Sequence, residues 1–527
     1  METIKSIFYR QKKILYLIII FLFSTSINQY YGYIGLNPID SFAYFNSGYD
    51  ILNGHFPFKD YWSITGPFIS FIQAIFFKLF GVSWFSYVLH ASIFNSIIAV
   101  ATFYTLDKFK LNINYCFLYA LLVSILAYPS IGTPYVDHQS SYLSLISIFC
   151  FILALKTNLK IYWFILPFLI GISFLTKQSP TGHIFIIILF LSIIYFIFNF
   201  NTKKIIYGFF GSIIFISIFI IILSLGKISL LSFFQQYILF PLSLGQSRLE
   251  FLFPLEFNRV LLRFKLIHLS SLILLIVSVK SIWKNLEYLK NSELLITLSL
   301  LGSSYALIAH QLMTINGLFI FFIIPILTGF SHIYYLKHFK YNKYVLYLLI
   351  VLCISSTIHY GYKYIHKRDF SDLRNVNLKN TIDAKILNSK LSGLKWKTLA
   401  YQNNPEEEIS QLLEVINIIK NDTRKKSIAT DYQFISVILS SYDYSPSQVW
   451  FLYHVNPIKS SKYFAIYKHF FISKLINNNI KVIYLVKPLL GGNDVVEKVL
   501  DNNCFKKNSV TKILDTYLLL QCEDLKN

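Results

Sequence analysis

Asp40 is the residue best suited to chemistry in this sequence, because it begins a polar stretch between two long apolar segments. Apolar residues follow it at steps of three, four and three, which is the spacing of one stripe on a helix: Phe42, Phe45, Tyr49 and Leu52. We predict that this helix ends at Asn53 and lies flat on a membrane, with Asp40 near the lipid headgroups. A carboxylate placed there can take the proton of an incoming hydroxyl. The alternative is that Asp40 only caps the helix, as Asp often does.

The turn after this helix carries three further polar side chains, His55, Lys59 and Asp60. Lys59 has the charge to contact a phosphate, His55 is a candidate for substrate contact, and Asp60 suits a solvated partner of the lysine. An apolar segment follows at 67–81. It is short for a hydrocarbon core about 30 Å thick, so we predict an interfacial or re-entrant helix.

Composition places most of the chain in a membrane. Of its 527 residues, 55% are hydrophobic and 14% are charged, whereas about a quarter of an average soluble domain is charged. The net charge of +22 would suit a nucleic-acid partner, but the lysines fall mostly in short loops between apolar segments. That is the pattern of the positive-inside rule, so we expect a lipid bilayer and no nucleic acid as partner.

Eleven membrane spans are predicted from the apolar runs, at 14–35, 84–106, 114–131, 140–156, 161–176, 182–201, 205–226, 266–283, 294–310, 317–336 and 343–360. The loops on the predicted cytoplasmic side are rich in lysine: Lys108, Lys110, Lys156, Lys160, Lys203, Lys204, Lys280, Lys284, Lys290, Lys337, Lys340 and Lys343. The loops 131–139 and 311–316 on the other side have no lysine or arginine. This arrangement predicts that Asp40 and the C-terminal tail are both extracytoplasmic.

Two segments outside the predicted spans have their own character. Segment 227–265 is half apolar and carries several charges, which predicts an amphipathic helix along the membrane surface. The tail, 361–527, alternates helix and strand patterns and includes an apolar run at 480–486 typical of a buried strand. Cys504 and Cys522 in this tail are candidates for a disulfide if the tail is extracytoplasmic.

The region around Asp40 resembles the first loop of GT-C glycosyltransferases. The similarity lies in the order of an Asp, a Tyr four residues on, a helix, Asn-Gly, an aromatic-Pro turn, Lys-Asp, and a helix that ends Lys-Leu-Phe-Gly. The region is most similar to bacterial relatives of dolichyl-phosphate-mannose protein mannosyltransferases and aminoarabinose lipid A transferases. The resemblance implies that Asp40 is catalytic and that Tyr44 contacts substrate. Gly66-Pro67 stands where the family usually has a basic residue and Pro-Pro.

A second resemblance lies at 171–180, which is similar to the family stretch Gly-x-x-x-Leu-Thr-Lys-Gly-Pro. It implies that Lys177 contacts the donor phosphate; the alternative is a lysine that snorkels from a helix end. His310 stands where the family often has a His before a Pro-bearing span. The resemblance implies substrate contact for His310, and the alternative is a merely interfacial histidine.

The family also often has an acid in the loop that here contains Asp137 and His138, and this acid sometimes helps to hold a divalent cation. The resemblance therefore implies a metal site made of Asp40, Asp137 and His138. The alternative is a solvated loop in which Asp137 caps a helix.

These observations predict a polytopic α-helical membrane protein with a C-terminal α/β domain. The expected domains are a GT-C-like catalytic domain, 1–360, with an outside loop at 36–83, and an extracytoplasmic domain, 361–527. The expected activity is inverting transfer of a sugar from a polyprenyl-phosphate donor to a hydroxyl of a glycan, lipid or protein acceptor of the cell envelope. The expected location is a bacterial inner membrane. The alternatives are a lipid-linked polysaccharide polymerase or ligase, a transporter or flippase, and a membrane-anchored scaffold.

Overall fold

The structure of the chain is a computed structural model that describes residues 2–253, 255–284, 292–314, 319–451, 453, 455–522 and 525. The predicted loop residue Lys290, and residues 315–318 of a predicted loop and span, lie outside these ranges. Within them, the chain is mostly α-helical, and its strands all follow residue 381.

The helices before residue 227 are α1 (Glu2–Tyr31), α2 (Pro38–Leu52), α3 (Pro67–Phe80), α4 (Trp84–Lys108), α5 (Ile113–Leu126), α6 (Val136–Thr157), α7 (Lys160–Phe174), α8 (Gln178–Phe198) and α9 (Thr202–Leu225). Those after it are α10 (Leu230–Phe233), α11 (Phe240–Ser243), α12 (Gly245–Glu250), α13 (Lys265–Lys284), α14 (Ser292–Thr314), α15 (Ile323–His338), α16 (Lys343–Tyr360), α17 (Pro405–Asn421), α18 (Ile435–Leu439) and α19 (Phe464–Asn477). The strands are β1 (Ile382–Asp383), β2 (Lys395–Trp396), β3 (Lys426–Thr430), β4 (Val482–Val486), β5 (Phe505–Thr511) and β6 (Leu514–Leu519).

Ten helical segments among the described residues are long and apolar enough to cross a membrane. They coincide with ten of the predicted spans, and the remaining prediction, 161–176, corresponds to the shorter apolar helix α7. The segment predicted at 67–81 is likewise a short apolar helix, α3. The chain is therefore an integral membrane protein with many helical spans and a small C-terminal sheet domain, as predicted.

The chain divides into two compact units. The first comprises Met1–Gly32, Val88–Phe219 and Ser247–Phe370, and the second comprises Tyr33–Tyr87, Ile220–Gln246 and Ser371–Asn527. The predicted domains, 1–360 and 361–527, differ from this division because two earlier segments belong with the tail. The physical reason is apolar burial: Trp62 and Phe240 lie in the same buried core of the second unit as Tyr517 of strand β6.

A four-stranded sheet with the order β3-β4-β6-β5 organises the C-terminal part of the second unit. β3 and β4 are parallel, with Thr430 opposite Val486, and the remaining pairs are antiparallel. Every residue of β4 is buried, as expected for a continuous apolar run inside a sheet. The carboxyl ends of β3 and β4 therefore meet at one edge, and the loops that follow them are neighbours.

Cys504 and Cys522, the candidate pair of the tail, form a disulfide with a Cα–Cα distance of 5.1 Å. The bond joins the start of β5 to the end of β6 across 18 residues. Closing a loop of this length restricts the unfolded chain.

We expect the double variant Cys504→Ser/Cys522→Ser to lose about 3 kcal/mol of unfolding free energy, measured by denaturant titration in detergent. Reduced wild type should match the variant; equal stability of oxidised wild type and variant would contradict the prediction.

Helix α2 has the predicted bounds but a different environment. The sequence predicts one apolar stripe on a membrane surface, whereas α2 is buried almost all round, from Ile39 to Ile51. Packing against α3 explains part of this burial, because a Cβ on Gly48 would lie 2.5 Å from the side chain of Gln73. Only glycine lets the two helices approach so closely. Next to Gly48, the hydroxyl of Ser47 is 2.8 Å from that of Ser70, one turn before Gln73 in α3.

Segment 227–265 is not the single amphipathic helix predicted from sequence. It consists of short helices α10 to α12 with π-helical turns at 234–239 and 258–262. Gln236 explains why the first half of the segment does not lie on a membrane surface, because its side chain is buried in the second unit. Its amide donates to the Phe58 carbonyl at 3.0 Å, and its carbonyl accepts from the Ser63 N–H at 3.0 Å. A surface helix would leave these backbone groups without these partners.

Candidate functional site

Asp40 lies in the first turn of α2 and is not its cap. The N-cap position is Asn37, whose side-chain amide donates to the Asp40 carboxylate at 3.3 Å. Asp40 therefore occupies the third helical position, where the positive end of the helix dipole favours a carboxylate. The capping alternative is wrong, and the half-buried carboxylate of Asp40 stands at the amino end of a buried helix.

The first turns of α2 pack against the chain that follows β3. The ring of Phe42 lies 4.9 Å from that of Phe434 and 6.0 Å from that of Trp396. Asn46, one turn further along α2, accepts a hydrogen bond from the Ser436 hydroxyl. These contacts bring the amino end of α2 to the loop between β3 and α18, at residues 431–434.

Asp431 is the first residue of this loop and is 5% exposed. Its Oδ2 accepts from the Leu490 N–H at 2.7 Å, in the loop that follows β4. Burial raises the pKa of Asp431 to about 7, although the Leu490 N–H lowers it, and the nearby negative charge of Asp40 adds to the rise. The second unit therefore places two carboxyl groups, Asp40 and Asp431, close enough to interact.

Lys59 and Asp60 lie in the predicted turn, and the structure adds Lys474 of α19. The Nζ atoms of both lysines are 4.0 Å from the Asp60 carboxylate, and Lys59 also donates to the Gly226 carbonyl at 3.3 Å. Two cations facing one carboxylate leave a net positive charge. Such a group suits an anion such as a phosphate, and contact of Lys59 with the donor phosphate stays a prediction.

His55 does not stand free in this turn. Its ring stacks on that of Tyr442 with centroids 3.5 Å apart and planes 5° apart. Burial lowers the pKa of His55, although the neighbouring Asp60 raises it. Tyr44 is buried in α2, one turn after Asp40. The structure assigns neither residue a substrate, so substrate contact remains a prediction for both.

In the first unit, Lys177, Asp137 and His310 form one cluster. The Lys177 ammonium pairs with the Asp137 carboxylate, and His310 Nε2 is 2.8 Å from the same oxygen. His310 Nδ1 is in turn 2.8 Å from the Ser179 hydroxyl. Asp137 and His310 are buried, so this ion pair is largely removed from water. Sequence analysis singled out all three charged or titratable residues, but not their mutual contact.

His138, next in sequence to Asp137, points to a different partner. Its Nε2 is 2.9 Å from the Ser130 hydroxyl, and its ring stacks against Tyr128. Across the described ranges, no group of three or more His, Cys, Asp or Glu side chains is arranged to hold a metal ion. The structure thus gives no support to the metal set predicted from Asp40, Asp137 and His138.

Sequence reasoning missed Asp431 and Lys474. Asp431 follows a strand of ordinary pattern, and Lys474 is one of two lysines in helix α19. A signal for Asp431 exists in retrospect, because polar residues directly after a buried parallel strand lie at the edge where sites often form. No local feature distinguishes Lys474 from the other lysines of the tail.

No family model matches the chain, and no curated protein sequence matches it. Among solved structures, the crystal structure of ArnT from Cupriavidus metallidurans bound to undecaprenyl phosphate is similar to the chain with a TM-score of 0.43. The sequence identity is 7%, over 96% of this chain and 97% of that chain. A likeness this low assigns neither a family nor an activity to the chain.

Proposed function

We propose that the protein is an inverting glycosyltransferase of GT-C type that moves a sugar from a polyprenyl-phosphate donor to a hydroxyl of an envelope acceptor. The observation that carries this proposal is the position of Asp40. Its carboxylate is half-buried at the amino end of α2, does not cap the helix, and has a second carboxyl group nearby. The many apolar helices supply the membrane environment that a lipid-linked donor requires.

In the proposed reaction, Asp40 accepts the proton of the acceptor hydroxyl as its oxygen attacks the anomeric carbon. The new carbon–oxygen bond forms as the bond from that carbon to the phosphate oxygen breaks, so the anomeric configuration inverts. The electron pair leaves with polyprenyl phosphate. A positioned base contributes typically about 10²–10⁴-fold to such a step, and cations near the leaving phosphate stabilise its developing charge.

Lys59 is the proposed phosphate-binding residue of the second unit, with Lys474 as its neighbour. Lys177 of the first unit is a further proposed phosphate contact, which would have to exchange part of its pairing with Asp137. The proposed site faces the extracytoplasmic side, as the lysine pattern of the loops indicates. The bacterial inner membrane is the location that the family resemblance implies. Binding of a divalent cation is a further prediction from the family resemblance, and the proposed reaction does not require it.

Lys59→Met is expected to raise the KM for donor by about 10- to 100-fold, because one charge-assisted contact to phosphate is worth about 1.5–3 kcal/mol. Steady-state release of polyprenyl phosphate at varied donor concentration measures it. The matched control is Lys78→Met, which removes an exposed lysine at the end of α3 and should leave KM unchanged. An unchanged KM in Lys59→Met would remove this lysine from the donor site.

The proposed reaction is tested by supplying detergent-solubilised protein with polyprenyl-phosphate sugars labelled in the sugar, together with crude envelope acceptor. We expect the label to move to the acceptor with inverted anomeric configuration, read by NMR of the product. Retained configuration would exclude direct attack by the acceptor. Movement of intact polyprenyl-phosphate sugar across vesicles without transfer would favour the flippase alternative.

A further inference from the structure

Two buried acceptor oxygens follow strand β3 without hydrogen-bond partners among the described residues. They are Oδ1 of Asp431 and Oε1 of Gln433. The two side chains are only 5% and 6% exposed. An acceptor removed from water without a partner costs about 1–3 kcal/mol, so each of the two oxygens calls for an explanation.

The other polar atoms of these side chains are already used. Asp431 Oδ2 accepts from the Leu490 N–H, and the Gln433 amide donates to the Gln448 carbonyl at 2.5 Å. These bonds fix both side chains and leave each one with a single open acceptor. The open groups are therefore oriented by the fold and are not free to turn toward other partners.

Glu408, a buried carboxylate of the same unit, shows the contrast. One of its oxygens accepts from the Trp396 indole N–H and the Thr398 hydroxyl, each at 2.8 Å, and the other accepts from the Tyr432 hydroxyl at 2.7 Å. Glu408 thus has donors on both oxygens. Asp431 has a donor on one oxygen only.

The open acceptors belong to the loop that packs against the amino end of α2, the end that carries Asp40. Helix α2 contacts the loop at 431–434 through Phe42 and Phe434, two residues after Asp40 and three after Asp431. A group that fills this place must supply hydrogen-bond donors on neighbouring atoms. A sugar does so through adjacent hydroxyls, and carboxylates and side-chain amides are well matched to them. A metal ion is a poorer fit, because no three-ligand group is present among the described residues.

We propose that Asp431 and Gln433 form a sugar-hydroxyl subsite beside Asp40, and that the acceptor of the reaction is a glycan. The acceptor assignment rests on the proposed transferase function. In this subsite, Asp431 and Gln433 each accept a hydrogen bond from a hydroxyl of the acceptor sugar. Asp40 accepts the proton of the hydroxyl that attacks the donor. The C-terminal part of the chain thereby contributes to substrate binding.

The test is direct binding of methyl glycosides to the full chain in lipid nanodiscs, which contain no sugar headgroups, followed by saturation-transfer NMR. Asp431→Asn is the informative variant, because Leu490 N–H retains the remaining oxygen and the open acceptor becomes an NH₂ donor. The control is Asp443→Asn, a second buried carboxyl of this unit that accepts from the Ser445 N–H. Gln433→Ala tests the other acceptor where Asp431→Asn does not fold.

We expect at least one glycoside to bind wild type, with a Kd at least tenfold higher in Asp431→Asn or Gln433→Ala and within twofold in Asp443→Asn. Equal binding by all folded variants, or no binding of any glycoside to wild type, would overturn the subsite. Because this measurement needs no donor, its outcome is separate from that of the transferase. Binding without sugar transfer would keep the subsite and reject the reaction, whereas transfer to lipid or protein alone would reject the glycan acceptor.

Discussion

Replacing Asp40 with asparagine is expected to lower the rate of sugar transfer by about 10²–10⁴-fold, the usual contribution of a general base. Asparagine fills the same volume at the third position of α2 and keeps an oxygen that can accept from Asn37. It cannot accept a proton from the acceptor hydroxyl. We therefore expect the loss in kcat, with donor affinity preserved, measured by single-turnover transfer of labelled sugar.

The matched control is Asp50→Asn, the same chemical change ten residues later in the same helix. Burial raises the pKa of Asp50 well above its usual range, and the nearby charge of Asp443 adds to this, so asparagine closely mimics the protonated acid. Its Oδ2 accepts from Asn46 at 3.0 Å, a bond that asparagine retains. Activity near wild type in Asp50→Asn would show that the Asp40 effect is chemical. Equal losses in both variants would instead indicate a general defect of α2.

Removing the Asp137 carboxylate, a buried charge of the first unit, is expected to have the largest effect on the free energy of unfolding. In Asp137→Asn, the Lys177 ammonium and His310 lose the charge they share. Breaking one partner of a buried pair leaves an uncompensated charge and costs about 3–5 kcal/mol. We expect the free energy of unfolding to fall by this amount, measured by denaturant titration of the protein in detergent.

A double variant separates this charge effect from a packing effect. Asp137→Asn/Lys177→Met removes both charges and should recover most of the stability lost by Asp137→Asn alone, because the pair then leaves no buried ion. The interaction energy from the double-mutant cycle should exceed about 1 kcal/mol. A single variant as stable as wild type would show that the Asp137 carboxylate is not a buried partner of Lys177 in the folded protein.

Most elements of the fold could be predicted from local sequence patterns. Hydropathy identified the spans because a lipid core demands long apolar helices. The bounds of α2 followed from its stripe of Phe42 to Leu52 and from the Asn-Gly that ends it, and β4 followed from an apolar run bounded by Asn and Pro. Each of these features is decided within one segment of the chain, which is why a single sequence predicts it.

The features that sequence did not predict depend on distant contacts. Asp137 and His310 are 173 residues apart, and no local pattern encodes their pairing. The polar side of α2 is buried by distant contacts, because Asn46 accepts from the Ser436 hydroxyl of the tail and the Ser47 hydroxyl lies 2.8 Å from that of Ser70. The apolar stripe by itself therefore suggested a membrane surface. Asp431 is inconspicuous until β3 and β4 are seen to be parallel, because only then do the loops after them meet.

The central claim, that Asp40 is the base of a transferase with a lipid-phosphate donor, is tested most directly by release of polyprenyl phosphate. Purified wild type, Asp40→Asn and Asp50→Asn are incubated with a panel of polyprenyl-phosphate sugars and envelope acceptor. We predict release by wild type and Asp50→Asn and almost none by Asp40→Asn. Equal release by wild type and Asp40→Asn would contradict the role of Asp40, and no release by folded wild type with any donor of the panel would contradict the transferase itself.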